Sequence, residues 1–407
     1  MKLIYTHQYF MTPAEGGGTR SYHLAKGLVN AGIEVEMITS HEKDEYDFKL
    51  IDGIKVHYLP VGYQQHFGFL RRIWAFLTFV KLAKKLIIKL PRPDYFYITS
   101  TPLTTGIIGL WAKKKFAVPY IFEVRDLWPD APIQVGVINN PLLKRILFHF
   151  EKRIYRNAFK IVALSPGIAN AIRQRCPDCN IHLVPNFADT EFFTPSEKNE
   201  KILRKLDLSN KFTIAYAGAI GKVNAVNEIL ILAKMAEERK LDLQFVVMGR
   251  GTHVKELLNE SQKLRLSNFH YVPFGNKEKV KDLLSVSDMA FVSFAHLPVL
   301  KTNSPNKFFD ALAAGKAILV NHKGWVHDLV RQYDLGFYFN PEKTTEILEK
   351  IQKLADNPTM LKKHQSNSRE LAENYFSKET AVLRLLALID PENHNREFKD
   401  EVYILTA

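Results

Sequence analysis

Short β-rich segments alternate with segments of helical length along nearly the whole chain, and no other feature constrains the fold as tightly. LIYTH, EVEMITS, IKVHYLP, YFYITS, YIFEV, KIVALS and IHLVP form a first series. FTIAYAG, LQFVVMG, FHYVPF, MAFVSF, AILVNH and GFYFN form a second. Between most of them lie stretches such as TRSYHLAKGLVNAG and PLLKRILFHFEKRIYRNA. Strands separated by helices predict parallel sheets with crossover helices, an α/β fold. The polar stretch TPSEKNEKILRKLDLSNK lies between the two series and puts a domain boundary near residues 190–210. From about residue 342 the pattern is consecutive helices, ending in the tail PENHNREFKDEVYILTA. The expected division is 1–195, 196–375 and a terminal helix and tail at 376–407. Two doubly wound domains in tandem face each other across a cleft, and ligands in such sheets bind outside the carboxyl ends of the strands.

A chain of 407 residues with 46% hydrophobic content suits two domains with sizeable cores. Its formal charge of +13 points to an anionic partner without choosing among nucleic acid, anionic lipid and phosphorylated substrate. The only cysteines, Cys176 and Cys179 in RCPDCN, are too few for a structural zinc site. They read as a plain surface turn, and the low count fits a reducing compartment. The start, MKLIYTHQYF, turns polar too soon for a signal peptide. No run of about 18 uncharged apolar residues occurs, so no spanning helix is expected.

The chemistry is expected in loops that follow strands. After LIYTH comes QYFMTPAEGGGTR, whose Gly16, Gly17 and Gly18 allow backbone N–H groups to approach a phosphate at a helix start. A flexible turn has the same composition, and the loop is not the G-x-G-x-x-G of dinucleotide sites. YIFEV runs into RDLWPDAP, which gathers Arg125, Asp126, Trp128 and Asp130, as an active loop or as a structural Arg–Asp pair. In the second series, Gly218, Gly221 and Lys222 follow one strand, and Gly249, Arg250 and Gly251 follow the next. The segment SPNKFFDALAAG reads as a short helix with Ser304 as N-cap, Pro305 at the first turn and Gly315 just past the end. Lys307 in its first turn opposes the helix dipole, so a bound diphosphate there would explain it. Asp310, on the same face, would then accept hydrogen bonds from sugar hydroxyls. A solvated pair at i,i+3 is the competing explanation.

The ordered set GGGTR, EVRDLWPDAP, ALSPGI, LVPNFADTEFF, YAGAIGK, VVMGRG, VPFG and SPNKFFDALAAGKAIL resembles the GT-B glycosyltransferases of family 4. More narrowly, it resembles the bacterial subgroup that builds O-antigen, capsule and exopolysaccharide. The resemblance implies two Rossmann-like domains, 1–195 binding the acceptor and 196–375 the nucleotide sugar, with 376–407 packing back on the first. It implies retention of configuration, no cofactor and no bound metal. Gly17 and Gly18 would approach the donor across the cleft. Arg20, Gly218, Gly249, Arg250, Ser304, Pro305, Asn306, Lys307 and Asp310 complete the implied donor site, with UDP favoured and an N-acetylated or deoxy sugar suggested. Arg125, Asp126, Lys222 and Lys307 are the implied catalytic set. Three positions depart from the general family pattern. The first acid of the E-x₇-E motif falls at Thr302, its usual Arg and Lys fall near Ala219 and Asn224, and its His–Asp pair is Arg125–Asp126.

Residues 69–90, FLRRIWAFLTFVKLAKKLIIKL, interleave six cations with Trp74 and phenylalanines. This suits a helix lying on anionic lipid, and equally a crossover helix with a solvated basic edge. The acceptor implied by the resemblance, a saccharide linked to polyprenyl diphosphate, favours the membrane. The expected location is therefore the cytoplasmic face of the plasma membrane, with the protein held peripherally. Two other functions compete. A nucleotide-sugar 2-epimerase on the same fold would turn over donor without acceptor. A basic nucleic-acid-binding protein would need clustered stacking aromatics or a known recognition module, and the sequence has neither, so nucleic acid is not an expected partner.

Overall fold

The computed structural model describes residues 1–62 and 67–404, so the last three residues of the expected tail, 405–407, lie outside it. The first sheet is built from β1 (Lys2–Thr6), β2 (Glu34–His41), β3 (Asp47–Ile51), β4 (Ile54–Pro60), β5 (Tyr95–Thr99), β6 (Tyr120–Val124), β7 (Lys160–Ala163) and β8 (Ile181–Leu183). Its order is β3-β4-β2-β1-β5-β6-β7-β8. All pairings are parallel except β3 with β4. The second sheet contains β9 (Phe212–Ala219), β10 (Leu243–Arg250), β11 (Phe269–Pro273), β12 (Met289–Val292), β13 (Ala317–Val320) and β14 (Gly336–Tyr338). Its order, β11-β10-β9-β12-β13-β14, is parallel throughout and is the doubly wound 3-2-1-4-5-6 arrangement.

Every strand expected from sequence is present. The antiparallel edge strand β3 was not anticipated, because DFKLI is short and its apolar Phe48 and Leu50 share a face left exposed, so it carries no buried alternation. Central strands such as β6 and β10 are buried on both faces, which is why they read as nearly continuous apolar runs, broken only by the buried Glu123 and, before the last residues of β10, the buried Gln244. In both sheets the order reverses beside the first strand, at β1/β5 and at β9/β12, and these two switch points carry the loops of interest.

Past the second sheet the chain returns. The helix Lys378–Ile389 packs Ala381, Leu385, Leu386 and Ile389 into the core shared with the helix Arg20–Asn30. Beneath the crossover, Asp189 accepts from Lys277 Nζ and, at 3.4 Å, from Lys378 Nζ. Burial works to raise the Asp189 carboxyl, and these two lysines outweigh it and hold it below the usual range. The domains also touch directly: Ser165 Oγ donates to Thr302 O at 2.5 Å, and Val299 N–H donates to Gln134 Oε1 at 2.8 Å.

The cysteine expectation needs correction. Cys176 and Cys179 are joined by a disulfide, and Cys176 is buried at the end of the helix Pro166–Arg175. Their near-sequence spacing gave no hint of this, since a turn brings any C-x-x-C pair close.

Candidate active site

The helix Asn306–Ala313 follows β12 and points its N-terminus into the cleft. Pro305 occupies the cap position and its carbonyl accepts from Phe308 N–H at 3.0 Å, while no side chain among the described residues caps the helix, so the amides of Asn306 and Lys307 stay open. Ser304 is therefore not the cap expected from sequence. It is buried, its Oγ accepts from Asn186 N–H at 3.2 Å, and its carbonyl accepts from Asn186 Nδ2 at 2.5 Å. The hydroxyl that would have satisfied the helix instead ties the two domains together. Gly315 does take the left-handed conformation expected of it, with φ of 59°.

Lys307 Nζ donates to Tyr216 Oη at 2.9 Å and to Ser293 O at 3.3 Å. It lies 4.3 Å from the Tyr216 ring centre and 4.5 Å from that of Phe294. These contacts hold the ammonium without neutralising it, and no ion pair with a carboxylate forms among the described residues. Burial lowers its pKa from 10.5 to about 7. Asp310 makes no ion pair with Lys307. Burial raises its carboxyl to about 7, with Lys277 opposing the shift and Asp189 adding to it, and its oxygens accept no hydrogen bond among the described residues. A desolvated cation and a desolvated acid, both unpaired, thus sit one turn apart on one helix.

The glycine loop faces this helix. A Cβ on Gly18 would lie 3.6 Å from Arg125 Nη2 and 3.8 Å from Asn306 Nδ2, so Gly18, Arg125 and Asn306 meet at one point. Gly17, with φ of 89°, takes a backbone conformation that disfavours a side chain. On the far wall, Gly218 and Gly249 are register partners, and a Cβ on Gly249 would lie 1.9 Å from Gly218 O. Only glycine permits these two strand ends to run so close. Arg250 is exposed, with its guanidinium 4.1 Å from the Phe274 ring centre. Lys222 is exposed in a short 3₁₀ turn and its side chain forms no hydrogen bond or ion pair among the described residues. Asp126 is half-buried, and burial raises its carboxyl despite the nearby Arg125 charge.

Arg20 is the clear exception among the expected site residues. It is buried, donates to Glu123 at 2.9 and 3.0 Å and to the carbonyls of Val184 and Pro185, and does not line the cleft. Being the first residue of a helix beside a glycine loop made it look like a phosphate ligand, but the interior carboxylate on β6 claims it. Sequence reasoning also missed His7, Tyr216 and Phe294. Their signal was position alone, at or near the carboxyl ends of β1, β9 and β12. No group of three or more His, Cys, Asp or Glu residues suited to a metal ion occurs among the described residues.

Two facing α/β domains, with the loops after their strands and an uncapped helix start gathered at the cleft, define a tandem doubly wound fold. Residues 15–186 match the glycosyl transferase 4-like domain, and residues 198–371 match glycosyl transferases group 1. The chain belongs to the family 4 GT-B glycosyltransferases. It is 21% identical over 383 residues to the capsular polysaccharide biosynthesis glycosyltransferase CapM of Staphylococcus aureus, covering 89% of this chain and 92% of that one. The fold is similar to that of sucrose-phosphate synthase from Thermosynechococcus elongatus, with TM-score 0.77, 17% identity and coverage of 95% and 98%. It is also similar to Anabaena HepE in complex with UDP and glucose, with TM-score 0.69, 15% identity and coverage of 96% and 99%.

Proposed function

We propose that this glycosyltransferase moves a sugar from a nucleotide-sugar donor, with UDP favoured, to a lipid-linked saccharide in surface polysaccharide synthesis. The transferred sugar is read as an N-acetylated or deoxy hexose, moved with retention and without metal. The observation that carries the reading is Lys307: a desolvated ammonium with no carboxylate partner, beside open helix amides, is a site that an anion completes. The similarity to CapM and the UDP bound by HepE support the same direction.

On this reading the diphosphate lies against the amides of Asn306 and Lys307 and the Lys307 ammonium, with Lys222 within the same wall. These donors meet the charge that develops on the leaving nucleoside diphosphate. Asp310 accepts hydrogen bonds from the nucleotide's ribose, and Arg250 with Phe274 flanks the nucleoside. Gly17, Gly18 and Arg125 close on the diphosphate from the opposite domain. Retention fits front-face displacement, in which the departing phosphate takes the acceptor hydroxyl's proton and Asp126 orients that hydroxyl.

A panel of nucleotide sugars screened by thermal shift tests the donor assignment, because a ligand that binds the native state raises its melting temperature. One UDP- or GDP-sugar is expected to stabilise the protein. Lys307→Ala and Asp310→Ala should each weaken the corresponding nucleoside diphosphate by roughly 1.5–3 kcal/mol, the value of a hydrogen bond to a charged group. Folded variants that bind like the unaltered protein would refute the assignment.

A further inference from the structure

The ring of His7, at the exit of β1, is buried directly behind Arg125. Its Nε2 is 3.1 Å from Arg125 Nη1 and its Nδ1 is 2.7 Å from Ser21 Oγ. An arginine guanidinium has no lone pair to offer, so this contact has one polarity: Arg125 donates and Nε2 accepts. The ring proton therefore sits on Nδ1 and is donated to Ser21. Burial, and then the charges of Arg125 and Arg20, keep the imidazole neutral by holding its pKa well below the usual range. Arg125 is also fixed at its backbone, where its N–H donates to Ser100 Oγ at 3.0 Å.

The two arginines of this region are anchored in opposite ways. Arg20 is neutralised by Glu123 inside the domain. Arg125 forms no ion pair among the described residues, and its side-chain anchor is an uncharged lone pair. A carboxylate in place of His7 would hold the guanidinium just as firmly but cancel its charge. We infer that His7 is a positioning residue: its Nε2 aims Arg125 toward Gly18 and Asn306, leaving a guanidinium that no carboxylate binds directly to meet an anion at the start of the helix Asn306–Ala313. The inference rests on the donor reading above and adds that the glycine-loop domain supplies its own directed cation to the diphosphate.

Calorimetric titration of the full chain with UDP and with GDP tests it. Arg125→Ala and His7→Phe should weaken the nucleotide that binds by the same factor, about 10- to 100-fold, as expected for a lost or misdirected charged contact. The double variant should bind no more weakly than Arg125→Ala alone. His7→Gln, whose Oε1 can accept where Nε2 does, should recover most of the affinity, whereas the shorter His7→Asn should not. If His7→Phe fails to fold, the Gln and Asn pair carries the comparison. Unchanged binding by His7→Phe, a further loss in the Arg125→Ala background, or equal binding by the Gln and Asn variants would overturn the inference. Unchanged binding by Arg125→Ala with a loss in Lys307→Ala would overturn it while the donor reading stands. No binding of either nucleotide by the unaltered protein would remove both.

Discussion

Lys307 is a cation at the positive end of a helix, enclosed by two aromatic rings and paired with no carboxylate among the described residues. With its pKa lowered to about 7, it is largely neutral at pH 8, while the unfolded chain's lysine, near 10.5, is charged. The folded protein therefore holds fewer protons between these values, and this residue's contribution makes stability rise with pH from about 7 to about 10. A bound diphosphate reverses the local preference, so UDP binding at pH 8 should take up close to one proton. Asp310, also near 7, is already mostly ionised at pH 8 and adds little release. Titration in buffers of different ionisation enthalpy measures the uptake, which Lys307→Met should abolish; the same uptake in that variant would assign the proton elsewhere. Arg20 makes the opposite prediction. Its pair with Glu123 is buried on both sides, so Arg20→Ala strands a buried carboxylate and should cost about 3–5 kcal/mol, read as a large drop in melting temperature. A variant that melts normally but loses nucleotide binding would restore Arg20 to the donor site. At this scale the sequence made Lys307 legible because it violates a local rule of helix electrostatics. It did not separate Arg20, which opens a helix after the glycine loop, from Arg125, which follows a strand end, since only the sheet's interior shows which one meets a carboxylate.

The helix Phe69–Ile87 shows how far an element can be read from its pattern. Ala75, Phe76, Phe79, Val80, Ala83 and Ile87 bury one face, as a crossover helix requires. The opposite stripe is not simply solvated: Trp74 is 70% exposed and Leu77 49%, interleaved with Arg71, Lys81 and Lys85, and Ile88 just past the helix end is 53% exposed. Arg72 instead donates to Phe67 O, and Lys84 lies over Trp111, so the six cations are not equivalent. No helix of the described residues is long and apolar enough to cross a membrane. We propose that this stripe rests on anionic lipid, with each exposed cation adding about 1 kcal/mol at low salt. Arg71, Lys81, Lys85 and Lys89 changed together to Gln should abolish sedimentation with anionic vesicles and leave UDP binding intact. Equal binding to neutral and anionic vesicles, or no effect of the four changes, would make the helix ordinary scaffold. Pattern alone gave the helix and its charges. Which cations face outward depended on Phe67 and Trp111, neighbours that sequence spacing does not reveal.

At the scale of the molecule, the alternation of strands and helices was enough to give two parallel sheets and a cleft, because crossover connections leave few other topologies. The links between domains were not legible. Ser304 with Asn186, Ser165 with Thr302, and Asp189 with Lys277 and Lys378 join residues far apart in the chain. Thr302, where the family pattern has an acid, now has a structural occupation: its carbonyl accepts from Ser165 and its hydroxyl donates to Val299 O at 2.7 Å. On the proposed function, a nucleotide sugar held by the second domain is cleaved only as its sugar passes to a lipid-linked acceptor. The most direct measurement is nucleoside diphosphate release from the stabilising donor, in EDTA, with and without a bacterial polyprenyl-lipid extract. Release should depend on the extract, persist in EDTA and fall at least tenfold in Lys307→Ala. Release that ignores the extract or is unchanged in Lys307→Ala, or that stops in EDTA and returns with Mn²⁺ or Mg²⁺, would contradict it.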